Sequence, residues 1–225
     1  NLANNYKQME EVCVQSAHNR IKDLDSVKVF RGEASNIRDV FKENFFEIYE
    51  LWKEGHNILY CDLDVVFTKE VEYFGKYNNF TMFNFTDPAT TSDSFYNVTF
   101  ENYFNCGIRY YPKEMSQEAW DVGIAMVENW NPDRWDAEQI IYNAMMWGQD
   151  KELNSFYNPT KAYQMLHDPN TPHGSTINSH FNRIELSDAC AVHVHGSRGS
   201  ANRLEIMKAL KDGSLTQDTE EYLYV

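Results

Sequence analysis

Residues Asn57-Ile58-Leu59-Tyr60-Cys61-Asp62-Leu63-Asp64-Val65-Val66-Phe67 leave this chain few options. Ile58, Leu59 and Tyr60 are apolar at consecutive positions. Such a run suits a strand covered on both faces, as in the middle of a parallel sheet. Asp62 and Asp64 follow at a spacing of two, and Val65-Val66-Phe67 is apolar again. In extended backbone, residues i and i+2 point to the same side. The spacing therefore predicts two carboxylates presented together at the carboxyl edge of a sheet, where open α/β folds bind ligands. Two such charges repel unless they are compensated. A hard divalent cation, Mg²⁺ or Mn²⁺, does this well because it prefers oxygen ligands. Asp-x-Asp is also common as a plain strand end leading into a turn. The flanking apolar runs favour function, since charges set between them are costly to leave unpaired.

The surrounding pattern alternates helix and strand. A helix is predicted from about Asn4 to Arg20, with Tyr6, Met9, Val12, Val14 and Ala17 near one face. A short strand follows at Ser26 to Phe30. The clearest helix runs from about Ala34 to Glu54, where Ile37, Phe41, Phe45, Ile48, Leu51 and Trp52 recur at steps of three and four and Gly55 closes it. The order helix, strand, helix, strand implies a parallel sheet with crossover helices. Further strands are predicted at Asn79 to Phe85, Phe104 to Tyr111 and Ala189 to His195. Further helices are predicted at Lys113 to Trp130, Asp136 to Trp147 and Ala201 to Leu210. Thr86 to Ser94 reads as a loop. His167 to Asn182, rich in Pro, Gly, Asn, Thr and Ser, is long enough for a functional loop or lid.

The 225 residues suit one domain, and 42% apolar content is enough for a sizeable core. A net charge of −14 argues against nucleic acid or an anionic membrane as partner, because phosphate binding needs a basic footprint. A phosphorylated small molecule would need a metal to bring positive charge. No apolar run approaches a membrane span, and no signal peptide is visible. Cys13, Cys61, Cys106 and Cys190 show no paired spacing. All four read as reduced, which sets the expectation of a cytoplasmic protein. Three Asn-x-Thr sequons, at Asn79, Asn84 and Asn97, carry little weight in so Asn-rich a chain.

A second informative stretch is Ala191-Val192-His193-Val194-His195-Gly196-Ser197-Arg198-Gly199. His193 and His195 share one face of their strand by the same period of two. Gly196 and Gly199 let the backbone approach a ligand closely. A turn of this kind opening a helix offers free N–H groups to an anion. Arg198 adds a forked cation suited to phosphate oxygens. One imidazole, two carboxylates and such a turn would together hold a divalent ion and a diphosphate. Taken alone, the histidines equally suit hydrogen-bonded surface positions beside a Gly-rich turn.

Four segments in order, Asp62-x-Asp64, Phe104-Asn105-Cys106-Gly107-Ile108, Glu138-Gln139-Ile140-Ile141-Tyr142-Asn143 and Val192-His193-Val194-His195-Gly196, resemble metal-dependent GT-A glycosyltransferases. The likeness is to the glycogenin and bacterial lipopolysaccharide galactosyltransferase group, over about Ala34 to Leu210. It implies an α/β, single-domain GT-A (nucleotide-diphospho-sugar transferase) fold over residues 1–225, with a mainly parallel central sheet flanked by helices. The first nucleotide-binding strand would then lie upstream of Asn1 or be absent. It implies a nucleotide-sugar donor, a UDP-sugar first of all, with Mn²⁺ or Mg²⁺ on its diphosphate and a carbohydrate or other hydroxyl acceptor. Asp62, Asp64 and His193 match the metal ligands. Lys42, Asn105, Gly107, His195 and Gly196 match donor or diphosphate contacts. The family's lysine is replaced by Gly199 here, with Arg198 beside it as a substitute. Glu138 and Gln139 match residues under the anomeric carbon, and Asp136 or Glu138 would serve as base in an inverting enzyme, although the likeness leans towards retention. Phe95, Tyr96, Trp130 and Trp135 suit either sugar stacking or the core.

Two rivals remain open on the sequence. A haloacid-dehalogenase-type phosphatase also carries Asp-x-Asp after an apolar strand, with the first Asp as nucleophile. Its later Gly-Asp-x-x-x-Asp segment is missing here. A metal-dependent carbohydrate-binding module would bind sugar without turnover.

Overall fold

The computed structural model describes residues 2–31, 36–71, 80–87, 91–100, 103–131, 134, 136–147, 163–166, 191–194 and 200–214. In chain order its elements are α1 (Leu2–Arg20), α2 (Ile37–Lys53), β1 (Ile58–Cys61), β2 (Val65–Phe67), β3 (Thr81–Asp87), β4 (Thr91–Asp93) and β5 (Val98–Phe100). There follow β6 (Tyr103–Tyr111), α3 (Gln117–Glu128), α4 (Ala137–Trp147), β7 (Tyr163–Leu166), β8 (Ala191–Val194) and α5 (Ser200–Asp212). The protein is mixed α/β, and these elements sort into two units.

One unit holds α1, β2, β7, β8 and α5. The helix α1 buries Met9, Val12, Cys13, Ser16 and Ala17, a stripe at steps of three and four. The helix α5 buries Leu204, Met207 and Leu210 in the same rhythm. Met9, Val12, Cys13, Leu204, Met207 and Leu210 close one apolar cluster with Val66 of β2 and Val192 and Val194 of β8. Each full burial contributes roughly 1.5–3 kcal/mol. In the sheet, β8 lies between β2 and β7. Its pairing with β2 is antiparallel and that with β7 parallel. Buried Ser16 ties α1 to the sheet. Its hydroxyl donates to the Cys13 carbonyl at 2.8 Å and accepts the Phe67 N–H at 3.0 Å.

The other unit carries α2, β3 to β6, α3, α4 and most of β1. Asn36 caps α2 by accepting the Asp39 N–H at 3.0 Å. Gly55, at φ +90°, ends it in the left-handed conformation that glycine adopts without strain. The sheet order is β1-β6-β3, with β3 and β6 antiparallel, and β4 pairs with β5 in a hairpin. Phe45, Tyr111, Trp120 and Tyr142 pack ring against ring, with Tyr111 and Trp120 stacked at 5.3 Å. Asn143 is fully buried and clamps α4 to β6. Its Oδ1 accepts the Phe104 N–H at 2.9 Å, and its Nδ2 donates to the carbonyls of Phe104 at 2.9 Å and Gln139 at 2.7 Å. Arg109 is buried between the rings of Tyr60 and Tyr142, 3.8 and 3.7 Å from their centroids.

Several sequence expectations change. Residues 26–30 form no strand, since their backbone joins no ladder. The strand expected before the two carboxylates is β1, and the apolar run that follows them forms a further strand, β2, after a turn at residues 62–65. The 86–94 loop contains the end of β3 and the whole of β4. A mainly parallel central sheet is not found among the described residues. The pairs β2–β8, β3–β6 and β4–β5 are antiparallel, and β7–β8 is parallel. Short returns account for the region from β3 to β6 only, since β2 and β8 pair antiparallel although far apart in sequence. β4 and β5 fold back as a hairpin between β3 and β6, and antiparallel strands need only such short links. The 167–182 loop lies outside the described residues.

Candidate metal centre

The turn after β1 builds the site. The Val65 N–H donates to the Asp62 carbonyl at 3.1 Å, and the Val194 N–H donates to the Asp64 carbonyl at 2.8 Å. Asp64 thus extends the β2–β8 ladder by one residue. Val65 lies opposite His193 in that ladder. Asp64 itself lies in the turn, and its carboxylate comes up beside the His193 imidazole. The two carboxylates do converge, but a turn and a cross-strand histidine bring them together, not a straight strand edge.

His193 Nε2 lies 3.1 Å from Asp64 Oδ1 and 3.7 Å from Asp62 Oδ2. One ligand atom from each of the three residues falls within 4.8 Å of the other two. Neighbouring ligands around a six-coordinate Mg²⁺ or Mn²⁺ stand about 3 Å apart, given metal–oxygen bonds of about 2.1 Å. The His193–Asp64 spacing already matches that, the exposed Asp62 carboxylate would close in on the same ion, and the donor set suits Mn²⁺ and Zn²⁺ as well. Asp64 and His193 are buried, whereas the Asp62 side chain is 38% exposed. An ion would thus have two ligands in the protein and one at its surface.

A fourth residue joins them. Arg203, near the start of α5, donates from Nη1 to Asp64 Oδ2 at 2.8 Å. Sequence reading passed over it. The signal was there, since Arg203 shares a stripe at i, i+4 and i+7 with buried Met207 and Leu210, and a cation on a core-facing stripe needs a partner. Burial pushes the Asp64 carboxyl up, but His193 and then Arg203 outweigh it and hold it down at about 2. Burial lowers the His193 imidazole, and the two carboxylates more than reverse that, so its proton is held above the ordinary 6.5. Without an ion, the centre is a hydrogen-bonded ion cluster. Behind it, Cys13 Sγ lies 3.7 Å from Cys61 Sγ and 3.8 Å from the Asp62 carbonyl oxygen. The contact with Cys13, then burial, pushes the Cys61 thiol well up. Neutral sulfur therefore backs the carboxylates.

No family model, curated protein or solved structure matches this chain.

The remaining expected site residues belong to the other unit or lie outside the described residues. Asp136, Glu138, Gln139, Asn105 and Gly107 belong to the other unit. There Asn105 Nδ2 donates to Gln139 Oε1 at 3.2 Å, and Asn105 Oδ1 accepts the Gly107 N–H at 2.8 Å. Arg109 Nη1 holds Glu138 Oε1 at 3.3 Å. Asp136 is engaged by Arg134 at 2.8 and 3.2 Å. Lys42 is half-buried on α2. Tyr96 accepts the Asn131 N–H at 2.8 Å through its hydroxyl, Trp130 packs on Phe41, and Phe95 is exposed. His195, Gly196, Arg198 and Trp135 lie outside the described residues, as does Cys190. Cys13, Cys61 and Cys106 form no disulfide among the described residues. No helix among the described residues is long and apolar enough to cross a membrane.

Proposed function

We propose that this chain is a metal-dependent glycosyltransferase of the GT-A kind, moving a sugar from a nucleotide-sugar donor, a UDP-sugar first of all, to a hydroxyl acceptor. The observation that supports this is the convergence of Asp62, Asp64 and His193 on one point. Asp64, kept ionised and buried, is the principal ligand, and Asp62 reaches the same point from the solvent side. His193 joins through Nε2 once that nitrogen has released its proton. In the transfer, the bond between the anomeric carbon and the donor's phosphate oxygen breaks, the acceptor oxygen bonds to that carbon, and the acceptor's hydroxyl proton passes to the leaving phosphate oxygen or to solvent. Negative charge then collects on the leaving diphosphate. A bound Mn²⁺ or Mg²⁺ supplies Lewis-acid stabilisation of that charge.

The test is release of UDP from a panel of UDP-sugars with Mn²⁺, with EDTA as control. Turnover of one of them, lost in EDTA and in Asp64→Ala, is the expected result. Mn²⁺-dependent sugar binding with no release of UDP from any donor would replace the transferase with a non-catalytic carbohydrate-binding module.

A further inference from the structure

Asp64 offers its two oxygens unequally. Oδ1 faces His193 Nε2 at 3.1 Å, within the group that also includes Asp62. Oδ2 carries Arg203 Nη1 at 2.8 Å. A charge-assisted bond of that length is among the stronger kinds in proteins. Arg203 is well placed to keep it. Its α5 neighbours Leu204 and Met207 are buried in the apolar cluster, and its side chain is only 22% exposed. Its Nε is buried without a hydrogen-bond partner among the described residues, so Asp64 is where the guanidinium is anchored.

We propose that Arg203 is a positioning residue of the metal centre: by occupying Asp64 Oδ2 it restricts Asp64 to one metal bond, through Oδ1, and keeps a coordination position open for an exogenous oxygen. This rests on the metal-binding function proposed above. A carboxylate can bind a cation through one oxygen or both. With Oδ2 engaged, the protein supplies three atoms, one each from Asp62, Asp64 and His193. A six-coordinate ion then keeps about three positions for water or donor oxygens. Arg203 also changes the charge. Two carboxylates and a divalent ion sum to zero, and Arg203 makes the loaded centre positive, which favours an anionic ligand. Most residues that orient a metal ligand are acceptors that raise its basicity, so their loss weakens metal binding. Arg203 is a cation, so its loss has the opposite sign. It removes a repulsion and frees an oxygen.

The test uses the full chain with Mn²⁺ alone, reading the dissociation constant and the number of exchangeable waters on the bound ion by water-proton relaxation. In Arg203→Met, Mn²⁺ is expected to bind at least as tightly as in wild type. The bound ion should carry about two waters in place of about three, because Asp64 then binds through both oxygens. Arg203→Lys keeps the cation and should stay near three. An unchanged water count in Arg203→Met would overturn the proposal. So would loss of Mn²⁺ binding in both variants while circular dichroism shows them folded, since Arg203 would then only build the site. Wild type that binds no Mn²⁺ at all would instead remove the metal centre itself, and the proposed function with it.

Discussion

Asp64→Asn removes one negative charge from a buried group while keeping its shape. In wild type, burial works against the Asp64 carboxylate, and His193 and Arg203 still bring the group from an ordinary 3.8 down to about 2. A fall of that size is worth about 2 kcal/mol of stability while the group is ionised. The sign is that of a depressed carboxyl. The contribution is complete above the unfolded-state value of about 4 and is lost as pH falls through about 2. Removing the charge also leaves Arg203 and protonated His193 without their shared anion in a largely buried site. The variant should therefore melt about 4–8 °C below wild type in EDTA near pH 6, at 2–4 °C per kcal/mol for a protein of this size. Its stability should also be flatter than that of wild type between about pH 4 and 2. Circular-dichroism melts across that range read both effects. A melting temperature within about 1 °C of wild type near pH 6, or an equally steep acid limb in both proteins, would refute the assignment of Asp64 as the anchor of the cluster.

Three further outcomes are expected. His193 holds its proton above the ordinary 6.5, and a metal bond needs Nε2 without it, so Mn²⁺ binding should release a proton and weaken towards tenfold per pH unit at acid pH. Calorimetry in two buffers of different ionisation enthalpy reads that proton. Asn143→Leu leaves the N–H and C=O of Phe104 without their clamp and should cost about 3 kcal/mol in a urea titration. Gly123→Ala gains about 1 kcal/mol of helix propensity in α3. It also sets a Cβ 2.6 Å from Met145 Sδ and 2.8 Å from Phe45 Cζ, so overpacking should offset that gain and lower stability by up to about 2 kcal/mol.

Helices were the most legible part of the sequence. The three-four rhythm of Phe41, Phe45 and Ile48 with Gly55 behind them placed α2 within a few residues, because burial and a left-handed cap are both local signals. Strand pairing was less so. The run 58–60 reads as a strand ending at the carboxylates, but the sequence does not say that 65–67 forms a second one pairing with β8. Strand direction follows from the links between strands, which carry no periodic signal. At the candidate site, Asp62, Asp64 and His193 were legible from their spacing and from the apolar residues around them. The core-facing stripe of Arg203 showed that it needs a partner but not which one, because Asp64 lies 139 residues away and sequence gives no distance across a fold. Arg203 also stood beyond the Gly-rich turn, where Arg198 drew attention as the more obvious cation.

The central claim is that Asp62, Asp64 and His193 hold a divalent ion that in turn binds a nucleotide diphosphate. The direct measurement is thermal stability of the full chain with UDP, with Mn²⁺, with both, and with both plus EDTA. A ligand at 100 times its dissociation constant adds about 2.7 kcal/mol to unfolding. The expected result is a modest rise with Mn²⁺, a larger rise with Mn²⁺ and UDP together, and no rise in EDTA. An equal rise with UDP in the presence and absence of EDTA, or no response to Mn²⁺ at all, would contradict it.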